Sequence, residues 1–155
     1  LHKLISSHPH WHFIFVGQIR LGRTNVRSLF SFPNVHYLGA STIHDLPMVL
    51  NGMDVFLIVY KQNELTKYIN PLKLYEYLAI GKPIVSVPLP EVLPLSPHVY
   101  LANPSEFSDQ IKRALETDTP AQQQARREIA KLHTWDIRVQ KIIETINQLF
   151  SEYQL

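Results

Sequence analysis

The chain has 155 residues, 45% of them hydrophobic and 18% charged, the make-up of one globular domain large enough to bury a core. A formal charge of +2 is too small to argue for nucleic acid, and the eight scattered histidines follow no metal-ligand spacing. The absence of cysteine excludes disulfides, thiolate zinc sites and a cysteine nucleophile, and fits a reducing compartment such as the cytoplasm. No apolar run approaches the ~20 residues of a membrane span, and "LHKLISSHPHWHF" has no apolar h-region of a signal peptide.

The segment "LHKLISSHP" reads as the tail of a helix ended by Pro9. A domain rarely starts in mid-helix, so sequence upstream of Leu1 is expected. Five apolar, β-branched or aromatic runs follow: His12 to Gly17, Asn34 to Gly39, Asp54 to Tyr60, Lys82 to Val87 and His98 to Ala102. Most are continuous rather than alternating, as in parallel strands covered on both faces. Helices are expected between and after them. Ser41 to Met53 places Ile43, Leu46, Val49 and Leu50 on one side. Asn70 to Ile80 comes next. "NPSEFSDQIKRAL" has Asn103 as a cap, Pro104 in the first turn and Glu106 to complete a capping box. Pro120 to Leu132 and Thr134 to about Tyr153 close the chain. The last carries an apolar stripe from Val139 to Tyr153, and Trp135 at its start is expected to pack on the core. "HPHWH" spaces His8, His10 and His12 alternately, but with Pro9 before a strand and no carboxylate nearby these read as turn and strand residues.

Strands alternating with helices at this rhythm predict a single α/β domain over residues 1–155, Rossmann-like and doubly wound, with a mainly parallel sheet and helices on both faces. Ligands of such folds bind at the carboxyl ends of strands near helix N-termini. Gly17, Gly39 and Tyr60 each close a predicted strand. "NPLKLYEYLAIGKPIVS", Asn70 to Ser86, is built to start a helix there: Asn70 as N-cap and Pro71 in the first position. The amides of Leu72 and Lys73 then point forward, toward a phosphate or carboxylate. Lys73 adds a full charge, and Glu76 lies on a neighbouring part of the same face, with Leu74, Tyr75, Leu78 and Ala79 opposite. Lys73 would meet phosphates, and Glu76 would accept both hydroxyls of a ribose. The competing reading is a solvated lysine–glutamate pair worth a few tenths of a kcal/mol, and spacing alone favours it.

The same stretch, with Ala79, Gly81, Lys82, Pro83, Ile84 and Val85 in an "A-x-G-K-P-V-V" pattern, resembles the donor-binding helix of group-one GT-B glycosyltransferases. "HPHWHFIFVG", "NVHYLGASTIHDLPMVLNGMDVFLIVY" and "TWDIRVQKIIETI" resemble further pieces of that family's C-terminal domain in the same order, over about Leu1 to Gln148. The resemblance implies the nucleotide-sugar-binding half of an enzyme that moves a sugar from a nucleoside diphosphate to an acceptor hydroxyl, in polysaccharide or glycolipid synthesis. It implies no cofactor and no metal, and a partner N-terminal acceptor domain outside this chain. It also implies a cytoplasmic enzyme, with room for peripheral association with a membrane. Without that acceptor domain, little transferase activity is expected from the chain alone. By motif match, Glu76 takes the ribose, the backbone from Asn70 to Lys73 faces the diphosphate, and the Tyr37 to Gly39 strand end lines the base. Gly17 leaves room for the ligand, and Tyr60 either lines the pocket or packs. The closing helix is expected to offer part of its stripe to the other domain.

Retaining members often carry a second glutamate eight positions before the ribose glutamate. Tyr68 stands there, and Glu64 lies in a polar loop, so the sugar-contacting carboxylate is not assigned. Arg20 and Arg23 follow the second family strand rather than the first, and read as surface arginines. The alternatives are a GT-B nucleotide-sugar epimerase and a non-catalytic flavodoxin-like or receiver-like module. Asp54 precedes its strand instead of following it, which disfavours a receiver.

Overall fold

The computed structural model describes residues 1–19 and 28–152, so Arg20, Arg23 and Tyr153 lie outside the described residues. The elements run α1 (His2–Ser7), β1 (Phe13–Phe15), β2 (Val35–Tyr37), α2 (Leu46–Asn51), β3 (Phe56–Ile58), α3 (Leu72–Ile80), β4 (Ile84–Ser86) and β5 (Tyr100–Leu101). Then come α4 (Phe107–Thr117), α5 (Pro120–Lys131) and α6 (Trp135–Glu152). Short 3₁₀ turns span Glu64–Tyr68 and Leu93–Leu95.

All five expected strands form, each as a short core within its apolar run, and every pairing is parallel. They make two sheets among the described residues: β1–β2, and β3–β4–β5 with β4 in the middle. The central β4 is buried along its whole length, as a strand with ladders on both edges requires. Its Ile84 and Val85 join Phe56, Ile58, Leu74, Leu78, Val99, Phe107 and Ile111 in the main core. A smaller cluster of Ile5, Phe13 and Leu29 sits under β1. Leu4, Trp11 and Leu57 pack against both clusters.

Polar side chains hold the connections. Asn34, buried just before β2, donates from Nδ2 to the carbonyls of His8 and Trp11 at 3.0 Å each, with a longer contact of 3.4 Å to Ile5. His8 Nδ1 meets the Leu4 carbonyl at 2.9 Å and Nε2 meets the Ser108 hydroxyl at 2.7 Å. A carbonyl only accepts, so Nδ1 carries a proton and donates to Leu4. Together with the stacked Trp11 ring at 4.0 Å, this makes His8 a tie between α1 and α4 rather than a metal ligand.

Several sequence expectations are corrected. α2 starts at Leu46, because Thr42 and Asp45 bond one another in a turn (Thr42 Oγ1 to Asp45 Oδ2, 2.7 Å; Asp45 N–H to Thr42 Oγ1, 3.2 Å). Ile43, placed on the buried side by periodicity, is therefore 82% exposed. α4 starts at Phe107: Glu106 does accept the Asn103 N–H at 3.0 Å, but it closes a separate turn ahead of the helix. Trp135 is 70% exposed, with the Arg138 guanidinium near its ring, instead of being packed on the core. α5 carries its full capping box, Thr119 with Gln122.

Candidate functional site

Parallel strands deliver the following loops to their carboxyl ends, and the candidate residues stand there in three groups. At the ends of β1 and β2, the Gly17 N–H donates to the Gly39 carbonyl at 2.8 Å, and the Tyr37 hydroxyl donates to the Gly17 carbonyl at 2.9 Å. Among the described residues, a Cβ built on either glycine would meet no atom within 4 Å. Gly39 has φ +75°, a backbone setting that L side chains rarely adopt.

The second group sits between β3 and α3. The loop after β3 is fixed by a reciprocal box: the Asn63 side chain accepts the Thr66 N–H at 3.1 Å, and Thr66 Oγ1 accepts the Asn63 N–H at 2.9 Å. The Thr66 hydroxyl also donates toward the Lys61 carbonyl at 2.9 Å. The chain then runs extended through Ile69 and Pro71 into α3. The Lys73 ammonium lies 5.1 Å from the centre of the Tyr60 ring, a cation–π contact worth about 0.5–1 kcal/mol at such a site. No ion pair joins Lys73 to Glu76 among the described residues. Glu76 is exposed, and Tyr77 beside it stacks on Phe56 at 4.1 Å. Burial, then the charges of Glu76 and Tyr60, push the Tyr77 phenol up to about 12.

The third group was not foreseen. Glu91, from the loop after β4, accepts at Oε1 from the Asn70 side-chain amide and from the Tyr75 hydroxyl, both at 3.0 Å. This corrects the expected cap. Asn70 is engaged by Glu91, Pro71 occupies the N-cap position, and Leu72 is the first helical residue. Pro71 is buried, Leu72 is 57% exposed, and no side chain caps the helix. The Leu74 N–H turns back to the Pro71 carbonyl at 2.8 Å. That leaves the amides of Leu72 and Lys73 at the tip, as required for an anion. Leu74 and Leu78 face the core, but Ala79 is exposed, on the side of Leu72 and Glu76. Tyr75 also carries the Arg138 guanidinium 4.6 Å from its ring and the His133 ring at 4.8 Å. Its phenol is raised by burial first, then by its bond to Glu91. A lone glutamate in a proline-rich loop gave no local signal. Its place just past a β-run at the carboxyl edge was the readable clue.

No hydrogen bond or ring contact among the described residues joins the glycine group to the other two. Nor do three or more metal-capable side chains gather anywhere among them. Among the described residues, no helix is long and apolar enough to cross a membrane.

Comparison with known proteins follows the same lines. The chain is 29% identical over 143 residues to TuaH of Bacillus subtilis (strain 168), provisionally named a teichuronic acid biosynthesis glycosyltransferase, covering 88% of this chain and 36% of that protein. It superposes on Anabaena Alr3699/HepE solved in complex with UDP with a TM-score of 0.74 at 21% identity, and on the complex with UDP-glucose at 0.68 and 20%. Each match covers 95% of this chain and 44% of the other. The chain thus spans well under half the length of these relatives, and its α/β, parallel-stranded architecture is the GT-B kind that the sequence led one to expect. A family model described as glycosyl transferase-like matches residues 1–144, and the chain belongs to that family.

Proposed function

We propose that this chain is the donor-binding part of a glycosyltransferase that takes a sugar from a nucleoside diphosphate, in the synthesis of a polysaccharide or glycolipid. The observation that carries the reading is the open tip of α3. An uncapped helix start, a lysine held by an aromatic ring rather than by a carboxylate, and a free glutamate one turn on stand together at a strand's carboxyl end. The tip's amides and Lys73 would take the diphosphate, and Glu76 the ribose hydroxyls. Gly17 and Gly39 leave space for the base. As the acceptor oxygen bonds to the anomeric carbon, the bond to the diphosphate breaks and its electrons leave with the phosphate. Lys73 and the helix dipole stabilise that charge where it develops, without a resident metal in this reading.

The remainder of the protein, by the same reading, supplies the acceptor domain and the proton acceptor. It covers α6, whose Ile142, Ile143, Ile146 and Phe150 are exposed. It also adds a strand along β1 or β3, each of which has an edge without a ladder among the described residues. We place the enzyme in the cytoplasm, with any membrane contact peripheral. UDP, the nucleotide of the Anabaena complexes, is the probe. Titration followed by tryptophan fluorescence should show binding, and Glu76→Ala should weaken it roughly tenfold, the scale of losing a charged hydrogen-bond partner. Equal affinity in the two proteins would reject the ribose assignment.

A further inference from the structure

We propose that Arg126 is a positioning residue for the nucleotide site: it grips the C-terminal end of α3 and thereby sets where the other end of that helix stands. The inference rests on the donor reading of α3 given above. Arg126, in α5, is 1% exposed. Its Nε donates to the Gly81 carbonyl at 2.8 Å, Nη1 to the His98 carbonyl at 3.4 Å, and Nη2 to the buried Asp118 carboxylate, which ends α4. One planar guanidinium thus joins the C-cap of α3, the approach to β5 and the end of α4.

Gly81 is where the two helices meet. It caps α3 at φ +87°, its N–H bonded to the Tyr77 carbonyl at 3.1 Å. A Cβ there would stand 2.9 Å from the Gln123 carbonyl of α5. The grip falls at the negative end of the α3 dipole, where a cation is favoured. From that end the nine-residue helix runs about 13 Å to its tip as a stiff rod. A shift or tilt at Gly81 is therefore transmitted to Glu76, Lys73 and the first-turn amides. Stability alone does not call for this arrangement. A buried ion pair is often matched or bettered by apolar residues of the same volume, whereas its fork of directed bonds fixes geometry.

The test measures UDP affinity well below each variant's melting temperature. Arg126→Lys keeps the charge but not the fork. The double change Arg126→Met with Asp118→Leu leaves no unpaired buried charge should the single variant fold poorly. Both should bind UDP roughly tenfold more weakly, the scale of a small misplacement of contacting groups. Ile111→Val, in the α4 core away from the site, should lower the melting temperature and leave UDP affinity unchanged. In a Glu76→Ala background the Arg126→Lys loss should shrink, because Glu76 is one of the groups that a shift of the helix displaces. Wild-type affinity in both Arg126 variants, an undiminished loss without Glu76, or an equal loss from Ile111→Val would overturn the positioning role alone. Failure of the unaltered protein to bind UDP would instead remove the donor reading, and this inference with it.

Discussion

Replacing Gly81 by alanine tests the docking of α5 on α3 directly. Two costs add. The left-handed setting at φ +87° costs an L residue about 1–2 kcal/mol. The new methyl would also lie 2.9 Å from the Gln123 carbonyl and from Arg127 Nε and Cζ. Arg127 can swing away, but the carbonyl is α5 backbone, so the helix must retreat by about half an ångström. Overpacking of that kind costs about 1–3 kcal/mol. The sum is roughly 2–5 kcal/mol, or a fall in Tm of roughly 5–15 °C for a chain of this size. Gly39→Ala is the control: its φ is +75°, yet no atom of the described residues stands within 4 Å of the new methyl. It should lose the strain alone, about 1–2 kcal/mol. Both melting curves are read by circular dichroism in the same buffer. Equal losses in the two variants, or a Gly81→Ala Tm within about 2 °C of the parent, would refute the close approach of the helices.

Leu78→Ala, at a fully buried position of α3, should cost about 2–5 kcal/mol in urea unfolding, with an unchanged m-value. Asn34→Ala should cost about 1–3 kcal/mol, and Asn34→Asp more, because a carboxylate would face the three carbonyls that the amide now serves. The Tyr77 phenol is held neutral up to about 12 in the folded chain, against about 10 when unfolded. Its stabilisation is therefore complete below pH 10 and is lost as pH rises from 10 through 12, by about 3 kcal/mol in all; Tyr77→Phe should flatten that part of the pH–stability curve. Glu76→Ala should leave the melting temperature within about 2 °C of the parent, since an exposed helix position contributes little, while weakening UDP.

The strands were readable because burial on both faces writes itself as unbroken apolar runs, and "DVFLIVY" and "KPIVSV" have no other use in a domain this size. Helix starts were less so. Periodicity assigned Ser41 and Asn103 to helices, but local side-chain bonds of Thr42, Asp45 and Glu106 formed turns instead. At α3 the composition of the tip was legible and its exact register was not, because Asn70 is claimed by Glu91 from a loop twenty-one residues on. The box at Asn63 and Thr66 has a sequence signature, an Asn-x-x-Thr spacing. Nothing local separates Arg126 from Arg127 in "QQQARREIA". Only the chain's return past Gly81 and His98 makes one of them interior.

The two sheets carry a consequence for motion. Side-chain packing at Leu4, Trp11 and Leu57, and the bond from His8 to Ser108, connect the β1–β2 pair to the larger body, with no ladder between them among the described residues. Such a seam parts more easily than a sheet, so amide protons in β1 and β2 should exchange with solvent sooner than those of β4. The portion bearing Gly17 and Gly39 can then breathe while α3 stays clamped, and a bound nucleotide spanning both would slow that exchange.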